Sequence, residues 1–247
     1  MQAIILAAGL GSRLGDLTRA IPKALIEVDD RPLIDYALAF AAAIGIEPAR
    51  TVVVGGFCYP DLRARIDGVA PAVRCIDNPA FRKGNLVSLR AGLPHIDAED
   101  GFLVMNTDHI YRPAIAAIVG GVMRSAAEVT AFCDFDRPLG DDDMKVALDD
   151  QRRVRDMAKT LSTWDAGYVG MTCIPGPRAR AHAAAGETAM AALGDAIHVE
   201  SVLVQLVREG TPPVIADISG HGWLEVDQPD ERDHAAATLR AERWWSQ

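Results

Sequence analysis

Residues 3–14 read Ala3-Ile4-Ile5-Leu6-Ala7-Ala8-Gly9-Leu10-Gly11-Ser12-Arg13-Leu14, and seven residues later stands Pro22-Lys23-Ala24-Leu25. The apolar run is a short buried strand, and the glycines turn the chain at its carboxyl end. Gly9 and Gly11 are expected to take backbone angles that a Cβ would forbid. Successive N–H groups in such a turn form an anion-binding concavity. Arg13 adds a planar fork of donors for phosphate oxygens, and Lys23 a compact point charge for the other side of the same group. Two cations around a backbone cradle suit a triphosphate that is to lose pyrophosphate, because negative charge grows on the leaving group.

Other glycine loops fit less well. No Gly-Lys-Ser/Thr follows at Walker A spacing. Gly9, Gly11 and Gly15 are one residue too widely spaced for a dinucleotide fingerprint, and Pro22 falls where the following helix should continue. A plain glycine turn would explain Gly9 and Gly11 alone. It does not explain Arg13 and Pro22-Lys23 in register with them.

Composition narrows the partners. The chain has 247 residues, 49% hydrophobic and 24% charged, which suits a soluble globular fold. Its net charge of −9 and pI near 5.1 leave no basic run to track a nucleic-acid backbone, so free nucleotide is the only nucleic-acid-like partner expected. Cys58, Cys75, Cys133 and Cys173 are scattered, without zinc spacing. The apolar N-terminus lacks a basic leader, and no stretch approaches the ~20 apolar residues of a membrane span. A cytoplasmic location is therefore expected.

Outward from the loop, strand and helix patterns alternate. Strands are expected at 3–6, 50–55, 73–76 and 101–106, with helices at 33–44, 61–66 and 115–123 and a loop running into a helix over 83–92. That order predicts a parallel, doubly wound core. Beyond it the pattern changes, with strands at 128–134, 145–149, 154–157, 165–174 and 214–218, a hairpin turn at 149–152, and helices at 178–192, 199–209 and 229–245. One domain over 1–247 is expected, with a nucleotide-binding half (about 1–125) and an acceptor-binding half (about 126–247).

Carboxylates stand where such a sheet binds ligands. Asp108 follows the strand at 101–106 directly, at the carboxyl end. Glu225 and Asp227 alternate on a second short strand and share a face. Mg²⁺ needs only one or two carboxylates when phosphates and waters complete its shell, so Asp108 with Asp227 meets the requirement. A helix cap or turn is the alternative for each aspartate taken alone. His109 could orient a phosphate or be a polar loop residue.

The string Leu6 to Leu14, seven residues, then Pro22-Lys23-Ala24-Leu25 resembles the signature of the nucleotidylyltransferases that activate sugar 1-phosphates and phospho-alcohols. The resemblance implies a Rossmann-like three-layer α/β sandwich with a mostly parallel mixed sheet, bound Mg²⁺, and nucleotidyl transfer with release of pyrophosphate. It places Leu6, Ala7, Ala8, Gly9, Gly11 and Ser12 against the nucleotide, Arg13 and Lys23 at its phosphates, Asp108 and Asp227 on the metal, and Glu225 as a third acid on the acceptor side with His109.

Two further stretches, Lys83-Gly84-Asn85-Leu86-Val87-Ser88-Leu89 and Thr107-Asp108-His109-Ile110-Tyr111, resemble the cytidylyltransferases for inositol 1-phosphate and, more loosely, those for phosphocholine and phosphonates. Asn85 and Ser88 supply donors and acceptors for a pyrimidine edge; a helix-capping role for Asn85 is compatible. By the same resemblance Lys145 contacts the acceptor phosphate, and Asp165-Ala166-Gly167 lines the acceptor pocket, Gly167 admitting a ligand close to the backbone. The expected activity is Mg²⁺-dependent transfer of CMP from CTP to a phospho-alcohol such as inositol 1-phosphate. Alternatives are a phosphocholine or phosphonate acceptor, a sugar-1-phosphate uridylyl- or thymidylyltransferase, and an inactive nucleotide-binding regulator. Asp141-Asp142-Asp143 reads as a solvated acidic turn rather than a second metal site. Trp244-Trp245 docks either on its own domain or on the partner of a homodimer.

Overall fold

In β1 (Ala3–Leu6), Ala3 and Ile5 face one way and Ile4 and Leu6 the other, and all four are buried. A strand with two apolar faces needs a layer of cover on each. The computed structural model describes residues 1–194 and 197–245. In chain order there follow β2 (Glu27–Val28), β3 (Arg31–Pro32), α1 (Leu33–Ile44), β4 (Thr51–Gly55), α2 (Tyr59–Val69), β5 (Arg74–Asp77), α3 (Asn85–Gly92), β6 (Phe102–Asn106), β7 (His109–Tyr111) and α4 (Pro113–Ser125). Strands β5, β4, β1 and β6 lie side by side and parallel. Helices α1, α2 and α4 pack on the Ala3/Ile5 face and α3 on the Ile4/Leu6 face. Helix α1 stops where Gly45, at φ 94°, returns its N–H to the carbonyls of Ala41 and Ala42.

The second part contains β8 (Thr130–Asp134), β9 (Lys145–Leu148), β10 (Val154–Ala158), β11 (Ala166–Ile174), α5 (Gly176–Leu193), α6 (Glu200–Arg208), β12 (Val214–Asp217), β13 (Trp223–Glu225) and α7 (Pro229–Glu242). Strand β11 joins the two parts. It runs antiparallel to β6, β8 and β9, while β12 adds to β8 in parallel and β10 to β9 antiparallel. Among the described residues nine strands form this mixed sheet, with helices on both sides, as the sequence implied. No described helix is long and apolar enough to cross a membrane.

Among the helix bounds that differ from the sequence reading, two have a plain physical cause. Helix α2 begins at Tyr59 rather than at 61, because Pro60 sits in the first turn, where its missing N–H costs nothing. Helix α7 ends at Glu242 rather than at 245. Arg243 takes φ 51°, and the chain folds back to bury Trp244 with Leu14, Leu224 and Leu239. Trp245 Nε1 donates to the Tyr111 carbonyl at 3.1 Å. The two indoles dock on their own domain, and burying them outweighs another turn of helix.

Candidate active site

The site is assembled by a pairing between distant parts of the chain. Strand β13 lies antiparallel to β7, with Glu225 opposite His109, and Val226 donates its N–H to the Asp108 carbonyl at 2.9 Å. That register sets Asp227 beside Asp108. Gly170 makes room for the pair. It sits at φ 70° in an irregular stretch of β11, and a Cβ there would stand 3.0 Å from the His109 ring and 3.2 Å from Asn106 Nδ2. The His109 ring stacks on Trp223, centroids 5.1 Å apart, and Trp223 Nε1 donates to buried Asp134 at 2.9 Å.

Asp108 and Asp227 converge on one cation. The buried Lys23 Nζ donates to Asp108 Oδ2 at 2.8 Å and to Asp227 Oδ1. Arg13 pairs with Asp227 Oδ2 at 2.9 Å and, through its other nitrogen, with Asp142, which also takes Lys159 at 2.9 Å. His109 Nδ1 lies 2.7 Å from Asp108 Oδ1. Burial works to lower the Lys23 pKa, but the charges of Asp108 and Asp227 outweigh it and hold the ammonium above its ordinary value. For Asp108, burial acts upward and is overcome by Lys23 and His109, which keep it well below the carboxylate range. Burial lowers His109, yet Glu225 and Asp108 raise it overall. Glu225 is pushed up by burial against the opposing charge of His109.

The glycine loop behaves differently at its two named glycines. Gly11 is left-handed at φ 63°, and a Cβ would meet Thr18 and Lys23 at about 3 Å, so the close turn requires glycine. Its carbonyl accepts from Leu14 N–H and Thr18 Oγ1 at 2.9 and 2.8 Å. Gly9 was expected to need a special backbone. Instead its φ is not positive, and a Cβ there would meet no protein atom within 4 Å. Its smallness is of use only to whatever enters the cavity.

That cavity, about 400 Å³, lies between the loop and the second part of the chain. Leu6, Ala8, Gly9, Gly11, Ser12, Arg13 and Lys23 line it, as do Asn85, Ser88, Asp108, His109, Glu225 and Asp227. Ala7 does not; its N–H goes to Val54 in the sheet. Asn85 does not cap its own helix. Its Oδ1 accepts from Val199 N–H at 2.8 Å, at the start of α6, leaving the amide NH₂ to a ligand. Ser88 Oγ accepts from Asn78 Nδ2 at 3.0 Å.

Three residues expected at the acceptor lie outside the cavity lining. Lys145 is buried, and its Nζ is held by the carbonyls of Gly140 and Lys159 at 2.7 and 2.9 Å. Asp165 is turned to the Leu148 N–H at 2.8 Å. The close approach at Gly167 is made by the Leu139 side chain, not by open space for a ligand. Lys159, Tyr168, Gly170, His198 and Glu200 line the cavity in their place. Tyr168 and Gly170 were within reach of sequence reasoning, since both belong to the strand that carries Gly167. His198 and Glu200 gave no motif. Asp142, read as a solvated acidic residue, is half exposed but bridges Arg13 and Lys159 across the cavity rim.

The two carboxylates fit a divalent cation, since their oxygens already meet at the single Nζ of Lys23. Among the described residues no group of three or more His, Cys, Asp or Glu is placed to hold a metal, so Glu225 does not complete a protein-only shell.

Comparison with known proteins agrees with this geometry. The family described as MobA-like NTP transferase domain matches residues 3–219. The 2-aminoethylphosphonate cytidylyltransferase of Lancefieldella rimae is 35% identical over 122 residues, 45% of this chain and 47% of the relative. The CMP-5'-(3-aminopropyl)phosphonate synthase of Streptomyces rubellomurinus is 28% identical over 251 residues, 95% of this chain and 38% of the relative. The chain thus spans about half or less of these relatives' length. The solved inositol-1-phosphate CTP transferase from T. maritima superposes with a TM-score of 0.80 at 19% identity, covering 97% of this chain and 96% of that one, a likeness of fold. With its loop, its carboxylate pair and a match over residues 3–219, the chain belongs to the MobA-like NTP transferase domain family.

Proposed function

We propose that the protein is a Mg²⁺-dependent cytidylyltransferase. A phosphate or phosphonate oxygen of a small acceptor attacks the α-phosphorus of CTP, and pyrophosphate leaves. The observation that carries the reading is the convergence of Asp108 and Asp227 on one cation beside the glycine loop. Those two residues would hold Mg²⁺, which when bound neutralises charge on the phosphates. The remaining work is positioning and charge stabilisation by the protein. Loop residues 9–13 cradle the triphosphate, with Arg13 exchanging carboxylate for phosphate oxygens, and Lys23 supplies positive charge to the departing pyrophosphate. The Asn85 amide and the Ser88 hydroxyl read the base. Residues of about 1–125 build the nucleotide side and those beyond them the acceptor side. Cytidine is favoured because relatives matched over 45% and 95% of this chain are named a cytidylyltransferase and a CMP-phosphonate synthase.

Pyrophosphate release measured over four nucleotides and a panel of acceptors tests the reading. The panel holds 2-aminoethylphosphonate, phosphocholine, inositol 1-phosphate and glucose 1-phosphate. Turnover is expected with CTP and a phospho-alcohol or phosphonate. Preference for UTP or dTTP with glucose 1-phosphate would replace it with sugar-nucleotide synthesis. Tight CTP binding without pyrophosphate from any acceptor would make the chain a nucleotide-binding regulator.

A further inference from the structure

Most acids lining the cavity have a visible partner. Asp108 meets Lys23 and His109, Asp227 meets Lys23 and Arg13, and Asp142 meets Arg13 and Lys159. Asp143 accepts the Gly140 N–H at 2.6 Å; Glu225 stands opposite His109 on the paired strand and, less buried than Glu200, meets it only through its field. Glu200 differs. It opens α6, is only 8% exposed, and lines the cavity with Tyr168 and His198, yet among the described residues no cation stands within ion-pair distance of it. Burial pushes its carboxyl up; a hydrogen bond from its own backbone N–H opposes that, and His198, Lys159 and His109 add only their fields. Tyr168 lies within electrostatic reach of Glu200. Its hydroxyl is engaged with Thr172 Oγ1 at 2.8 Å, so what it presents to a ligand is its ring.

A buried carboxylate without a cation beside it is costly, and a ligand that brings a positive charge removes the cost. An aromatic ring beside it favours an ammonium in particular. A neutral polyol leaves the carboxylate as it was. The geometry points to Glu200, with the Tyr168 ring, as the seat of a cationic head on the acceptor, which is therefore an aminoalkyl phosphate or phosphonate. This inference rests on the cytidylyl-transfer reading for the identity of the acceptor's other end. The competing role for Glu200 is a first-turn acid that favours the helix dipole of α6. That role would lower stability on substitution without touching acceptor choice.

The test compares 2-aminoethylphosphonate with n-propylphosphonate, in which a methyl replaces the ammonium. With saturating CTP and Mg²⁺, the intact protein should prefer the amine by about 10- to 100-fold in kcat/KM, the worth of a charged hydrogen bond. In Glu200→Gln that ratio should collapse towards one, through the acceptor KM rather than kcat, and Glu200→Asp should restore part of it. An unchanged ratio in Glu200→Gln, or no preference in the intact protein, overturns the assignment. Calorimetric binding of the same two probes to both proteins separates the two readings. If nothing turns over but the binding ratio still depends on Glu200, the amine seat stands and the transferase reading falls. If binding also ignores Glu200, the amine seat falls too.

Discussion

At the scale of single residues, Lys23 and Gly9 separate what the fold needs from what the ligand needs. Lys23 is the common partner of two partly buried carboxylates, so Lys23→Met leaves Asp108 and Asp227 facing each other with only Arg13 and His109 nearby. Removing one member of such a group costs about 3–5 kcal/mol. The variant's melting temperature should fall in metal-free buffer and recover in part when Mg²⁺ is added, and pyrophosphate release should drop at least about 100-fold, the worth of a lost transition-state contact. A metal-free melting temperature equal to that of the intact protein would show that the cluster does not depend on Lys23. Asp108→Ala and Asp227→Ala are each expected to abolish turnover; near-normal rates in both would remove the metal assignment. Gly9→Ala is the contrasting case. Its Cβ would meet no protein atom, so unfolding in urea should shift by less than about 0.5 kcal/mol while the KM for nucleotide rises.

At the scale of elements, the irregular stretch of β11 and the pairing of β7 with β13 together make the site. Gly170 carries the bend at φ 70° and faces His109. Gly170→Ala forces a Cβ into a left-handed position, which costs about 1–2 kcal/mol, and pushes on a ring 3.0 Å away. Activity should therefore fall by more than the stability loss accounts for, and comparing kcat with the urea midpoint measures this. A variant with wild-type kcat would show that the bend merely passes the site. The helices of the first part are legible in the 3.6-residue spacing of their apolar residues, and its parallel strands in short continuous apolar runs buried on both faces. Strands β7 and β13 were not fully legible, since each has three residues and neither has a periodicity of its own. Only the Glu225-Val226-Asp227 alternation hinted at the second.

At the scale of the whole molecule, the two sides of the sheet carry different burdens. His182 on α5 is buried edge-on to Phe102, centroids 6.2 Å apart, and burial pushes its pKa from 6.5 down to about 4. Below about pH 6.5 the unfolded chain binds a proton that the folded one refuses, so this contribution is complete above pH 6.5. It is lost as pH falls towards 4, at up to about 1.4 kcal/mol per unit. Between pH 7.5 and 5 the intact protein should lose about 2 kcal/mol more than His182→Leu in urea unfolding. Equal losses would show that the imidazole is neutral to folding.

The loop, its two cations, the parallel core and Asp108 at a strand end are all legible in the sequence, because each is carried by residues close along the chain or by short apolar patterns. Tertiary structure alone decided that Lys23 sits between Asp108 and Asp227, that Gly9 needs no special backbone and that Lys145 turns away from the cavity. It also decided that Glu200 lines the cavity with no cation, among the described residues, within ion-pair distance. These facts depend on pairings across the chain, where the register of one short strand on another selects which side chains share a few cubic ångströms.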